Sequence, residues 1–253
     1  MYTRVRLNPY DDDVAAAFKA AREIPRDGLT AWREEIRRRL RPSPGMTVVD
    51  IGAGTGAYSA AFVDWFDVRV VAVEPSDAMR SRIPQSAAIE ALPGNAMSLP
   101  LPDNSADGAW LSLVIHHIPD LAAAARETRR VLRPGAPVLI RQGFPDRPLD
   151  GIEMIRWFPA TARVVEPYPT LEMVTHTFEA VGLGLESVEP VEETGPGCLP
   201  DLLRDADALR TADTTLRSLT DEEFRQGKER IRRAIEEGST EPRSNRLDLV
   251  VFR

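Results

Sequence analysis

Residues 48–59 read VVDIGAGTGAYS: a Val-rich run that ends in an acid, glycines at 52, 54 and 56, then a helix-compatible stretch. A strand that breaks into close-set glycines and restarts as a helix is a ligand loop, because the missing side chains let a bound molecule rest against main-chain N–H groups at a helix start. The third glycine comes one residue too early for the GxGxxG dinucleotide fingerprint, and position 57 is Ala. Asp50 sharpens the reading, since a carboxylate just ahead of the loop repels a pyrophosphate and attracts a ligand that brings an ammonium and a sulfonium. S-adenosylmethionine has both cations and no phosphate, whereas an NAD-linked oxidoreductase is disfavoured on both counts.

Outward from this loop, apolar runs alternate with helix-periodic segments, the signature of βαβ units around a mainly parallel sheet. Strands are predicted at 46–51, 68–74, 87–92, 108–115, 136–141, 184–191 and 246–252. Helices are predicted at 56–66, 76–83, 120–132 and 170–181, the third stopped by Pro134 and Gly135. Two earlier helical segments, 11–23 and 27–40, are expected to stand outside the sheet core as a lid over residues 1–42. Residues 143–169 carry five prolines and read as a second covering segment. Phe144, Trp157, Phe158 and Tyr168 within it either wall an apolar pocket or form a satellite core. A helical insertion at 198–238 precedes the last strand and serves as a further wall or a dimer surface.

The 253 residues, 43% hydrophobic and 28% charged, suit one domain over 1–253 with a cofactor-binding core at 43–142 and acceptor-covering segments at 143–253. Net charge is −7, and the Arg-rich stretches 33–40 and 228–237 interleave acids at helical spacing, so nucleic acid is not an expected partner. The chain lacks an apolar run of the ~18 residues that a membrane span needs, and a cytoplasmic monomer or homodimer is expected. Cys198 is the single cysteine, which excludes an internal disulfide and a three-cysteine radical cluster. His116, His117 and His176 fall in no metal-ligand spacing, so no metal is expected.

VVDIGAGTG, VAVEPS (71–76), GNAMSLPLPDNSADGAW (94–110) and LSLVIHHIPD (111–120) together resemble the class I S-adenosylmethionine-dependent methyltransferases, in the subgroup similar to the ubiquinone/menaquinone C-methyltransferases. The resemblance is close over 46–142 and loose elsewhere, and it implies a Rossmann-like α/β fold: a seven-stranded, mainly parallel sheet with helices on both faces. It places Asp50, Gly52, Ala53, Gly54 and Gly56 around the methionine moiety, and Glu74 on the ribose hydroxyls with Pro75 and Met79 beside it. Asn95 takes the adenine position, where the family more often has Asp, flanked by Ala96 and Met97; an amide carbonyl accepts the same hydrogen bond. Ser112 and Leu113 reach the cofactor by their backbone, and Tyr10 and Arg22 resemble lid residues at the methionine end.

His116 and His117 follow strand four, where an acceptor would meet the methyl group; His117 is a candidate base for acceptors protonated at neutral pH, and both histidines can equally brace the loop. The implied reaction is methyl transfer to an O, N or C atom of a small molecule, with S-adenosylhomocysteine as product. Nucleic-acid methylation is opposed by the acidic balance and by VIHH where an Asn/Asp-Pro-Pro-aromatic run would stand. A protein that binds the same cofactor without transferring a methyl group would carry the same motifs.

Overall fold

The computed structural model describes residues 29–253. Seven strands, β1 (Thr47–Ile51), β2 (Arg69–Val73), β3 (Ile89–Leu92), β4 (Gly108–Ser112), β5 (Val138–Gln142), β6 (Leu185–Cys198) and β7 (Pro242–Phe252), form one sheet in the order β3-β2-β1-β4-β5-β7-β6. Pairing is parallel from β3 through β5, and β7 runs antiparallel to both of its neighbours. The predicted seven-stranded, mainly parallel α/β architecture is the observed one.

The central strands read as continuous apolar runs because both faces are covered. Val48, Trp110, Leu139 and Val251 pack in one layer with Phe62 and Phe66 of α2 (Ala57–Phe66) and with Trp32, Ile36 and Leu40 of α1 (Thr30–Leu40). Val49, Leu111, Ile140 and Val250 pack in the other with Ala124 and Ala125 of α4 (Leu121–Val131) and with Val174 and Phe178 of α7 (Leu171–Glu179). The period-two alternation along each strand thus assigns its residues to two different layers.

Four expectations are corrected. Residues 30–40 do not stand outside the sheet core: Trp32, Ile36 and Leu40 are buried in it, and the i, i+4 spacing of apolar residues makes this helix a core layer rather than a lid. The predicted helix at 11–23 lies outside the described residues. The helix expected at 76–83 is a single turn, α3 (Asp77–Arg80), because Pro84 disfavours helical geometry at the residue before it. β4 ends at Ser112 rather than 115: Leu113 turns to φ +53° and Ile115–His117 close a 3₁₀ turn.

The fourth correction concerns β6, which runs on to Cys198 instead of stopping at 191, pairing with the early half of a longer β7. Gly195, Pro196 and Gly197 argue for a loop there, but cross-strand pairing from Val191↔Leu247 to Thr194↔Ser244 outweighs local propensity.

The segment after β5 and the helical insertion pack on each other. The insertion forms α8 (Leu199–Ala212), α9 (Thr214–Arg217) and α10 (Asp221–Glu236), and its Leu202, Leu216, Phe224 and Ile231 enclose a satellite core with Trp157 and Phe158. α10 approaches so closely that a Cβ at Gly227 would meet Phe158 Cδ1 at 2.0 Å. The segment after β5, which carries α5 (Glu153–Trp157) and α6 (Ala162–Val165), is tied along β7 by four Arg–carboxylate pairs: Arg147–Asp248, Arg246–Asp150, Arg243–Glu153 and Arg156–Glu241. Among the described residues no helix is long and apolar enough to cross a membrane.

Candidate active site

The loop between β1 and α2 takes its shape from main-chain bonds to the end of β2. Gly52 and Ala53 both donate to the Val73 carbonyl, at 2.8 and 3.2 Å, and Gly56 donates to the Ala53 carbonyl at 2.9 Å. Gly52, Gly54 and Gly56 have φ of +74°, +57° and +79°. At Gly52 a side chain is barred twice over, by the left-handed backbone and by Val114 Cγ2, which would lie 2.3 Å from a Cβ.

Asp50 is 2% exposed, and its Oδ2 accepts a 2.6 Å hydrogen bond from the Ser59 hydroxyl. Burial pushes its carboxyl up to about 7, against the pull of Ser59 and with help from the neighbouring Glu74 charge. Nothing in the sequence marks Ser59, on α2, as its partner. Glu74 is also buried, and burial raises its pKa. Its two oxygens accept from the Gly54 and Ser76 amides at 2.9 Å each, which aims the carboxylate and leaves each oxygen a lone pair for a hydroxyl. The local cation, Arg80, is engaged by Asp77 and by the Glu74 carbonyl at 3.0 Å.

Pro75 is exposed and Met79 buried on the turn after Glu74. Asn95 is exposed, with Oδ1 accepting from the Met97 amide at 2.9 Å; Ala96 is buried beside it. An Arg–Glu pair on α4 holds the next stretch: Glu127 Oε2 accepts from the Leu99 amide at 2.9 Å, while Arg130 donates to the Leu99 and Leu101 carbonyls at 3.0 and 2.8 Å. Arg130 in turn holds the Glu127 carboxyl below the usual range. In the sequence this brace is legible only as a surface i, i+3 ion pair.

Ser112 ends β4 and Leu113 follows at the turn, and the Arg141 guanidinium donates to the Ser112 hydroxyl at 3.2 Å. His116 is half-buried and His117 exposed. The His116 ring stacks on Tyr168 at 4.0 Å and 10°, and lies 4.0 Å from the His117 ring. The four expected aromatics therefore divide: Phe144 joins the main core, Trp157 and Phe158 the satellite core, and Tyr168 the histidine pair. Tyr10 and Arg22 lie outside the described residues.

The expected residues after β1, β2, β3 and β4 thus gather at the carboxyl ends of neighbouring parallel strands, where open α/β sheets bind ligands. Two buried acids, an amide and main-chain groups on a side-chain-free loop fit a cationic, phosphate-free cofactor.

Comparison with known proteins identifies the family. The methyltransferase domain family matches residues 49–140. A demethylmenaquinone methyltransferase of Corynebacterium kroppenstedtii is 32% identical over 164 residues, covering 62% of this chain and 71% of that protein. An uncharacterised methyltransferase of Mycobacterium tuberculosis is 29% identical over 220 residues, 85% of this chain and 86% of its own. The crystal structure of a methyltransferase of Anabaena variabilis ascribed to an antibiotic biosynthesis pathway superposes with a TM-score of 0.70 at 22% identity, covering 88% of this chain and 96% of that one. This chain belongs to the class I S-adenosylmethionine-dependent methyltransferases.

Proposed function

We infer that the chain moves the methyl group of S-adenosylmethionine to an O, N or C atom of a small-molecule acceptor. The observation that carries this is the buried carboxylate of Asp50 beside a glycine loop, a place that favours an ammonium and disfavours phosphate. In this reading Asp50, Gly52, Ala53, Gly54 and Gly56 hold the methionine end, with Ser112 and Leu113 opposite. Glu74, Pro75 and Met79 hold the ribose, and Asn95, Ala96 and Met97 the adenine. The cofactor supplies an electrophilic methyl on a sulfonium, so the protein's work is alignment and exclusion of water.

His116 and His117 stand on the acceptor side, and Tyr10 and Arg22 belong to the proposed lid. His117, the exposed member of the pair, is the candidate to take a proton from an acidic acceptor. The relative named for demethylmenaquinone makes a reduced quinone the first acceptor to try. A small-molecule partner rather than nucleic acid accords with the net charge of −7, and a cytoplasmic site of action belongs to the same reading.

The test is incubation with methyl-labelled S-adenosylmethionine and a panel of small acceptors that includes reduced demethylmenaquinone. Labelled product with matching S-adenosylhomocysteine is expected. Tight cofactor binding with no demethylated cofactor from any acceptor would instead indicate a binding protein of this fold.

A further inference from the structure

β5 ends in Gln142, which shares a sheet face with Val138 and Ile140 and is 2% exposed. A leucine there would continue the apolar layer without cost, whereas the buried amide has an Oε1 with no hydrogen-bond partner. Its other end is fully used. Nε2 lies 3.2 Å from the Gly143 carbonyl and 3.3 Å from His116 Nδ1. A carbonyl oxygen only accepts, so the atom facing Gly143 is the NH₂, and the amide cannot be turned over without losing that bond. The second hydrogen of the same NH₂ is then offered to His116, whose Nδ1 receives it as an acceptor.

We propose that Gln142 is a positioning residue: it holds His116 in the tautomer that carries its proton on Nε2. The imidazole lone pair is committed to the amide, so His116 works at the acceptor end as a hydrogen-bond donor and not as a base. Tyr168, stacked flat on the ring, fixes its plane, and the 3₁₀ turn Ile115–His117 fixes its attachment. The division of labour follows, His116 orienting an acceptor oxygen or nitrogen and His117 remaining for proton removal.

Placing His116 at the acceptor end rests on the functional reading above, but the tautomer does not, and the experiment separates them. The chain has three histidines, so long-range ¹H–¹⁵N spectra of the neutral imidazoles, with His116 assigned through His116→Asn, resolve each ring. The apo protein and its complex with S-adenosylhomocysteine are both expected to show His116 protonated on Nε2 with an unprotonated Nδ1. Gln142→Glu, whose carboxylate can only accept, is expected to move the proton to Nδ1, and Gln142→Met to give a mixture of tautomers. A wild-type His116 protonated on Nδ1 overturns the proposal, as does an Nε2–H form that persists in both variants. The spectra distinguish these outcomes even in a chain that transfers no methyl group.

Discussion

The two ends of the crevice are assembled over very different lengths of chain. At the cofactor end Asp50 meets Ser59 nine residues on and Gly54 meets Glu74 twenty residues on, through one βαβ unit, and the Glu127–Arg130 brace reaches back 28 to 31 residues to Leu99 and Leu101. At the proposed acceptor side Arg147, Glu153 and Arg156 are fastened to partners 85 to 101 residues away. A short-range site built from main chain tolerates little change, because its groups cannot move independently. A site built from long-range side-chain ties can be altered piecemeal, which is what a fold that serves many acceptors requires.

This contrast is most easily broken at Gly52. Gly52→Ala forces a side chain into a φ of +74° and against Val114, and is expected to cost about 2–4 kcal/mol of stability and at least ~100-fold in S-adenosylhomocysteine affinity. Adding Val114→Ala should return part of the stability by removing the clash while the backbone strain remains. Denaturant melts and calorimetry on the two variants measure both effects.

The acceptor-side ties should behave oppositely. Glu153→Gln breaks the paired bonds from Arg243, at 2.9 and 2.6 Å, in a partly buried setting, and should destabilise by roughly 2 kcal/mol. Cofactor affinity should stay within about twofold, since the tie joins α5 to β7. A large loss of S-adenosylhomocysteine binding in this variant would show that the two ends are not separable.

Arg130→Ala sharpens the comparison from the cofactor side with a smaller effect. It releases the Leu99 and Leu101 carbonyls beside the adenine segment and should weaken S-adenosylhomocysteine about tenfold, some 1.4 kcal/mol. Titration calorimetry reads this directly.

The same difference in range explains what the sequence disclosed. The glycines and Asp50 stand out because a loop at a strand end needs particular residue types at short spacing, whereas Glu74 and Asn95 enter through the family resemblance. Gln142 carries a weaker signal, a polar residue at the inward parity of Val138 and Ile140, which a strand buried on both faces makes anomalous. α1 escapes a local reading because a helix ahead of the first strand has no sequence neighbour to announce that it covers Trp110 and Leu139. β6 reads as too short because its far half is specified by β7, more than forty residues on. Nothing local marks Tyr168 as the residue that meets His116.

Asp50 carries the central claim, and its linkage has a definite sign. Its folded carboxyl, near 7, lies well above the ordinary unfolded value, so the protonated form is favoured by folding. That contribution is fully present below the unfolded carboxylate range and is lost as pH rises through about 7, up to about 4 kcal/mol. A cationic ligand demands the opposite state, the carboxylate. S-adenosylhomocysteine, whose methionine end keeps its ammonium, should therefore bind with a constant affinity from about pH 7 up to the pH at which that ammonium loses its proton, and about tenfold more weakly for each pH unit below 7, while Asp50→Asn flattens the acid limb of the profile at weak affinity and raises apo stability at alkaline pH. Calorimetry across that range decides the matter. A wild-type profile unchanged by pH, or tighter binding of a nicotinamide dinucleotide than of S-adenosylhomocysteine, would contradict the account.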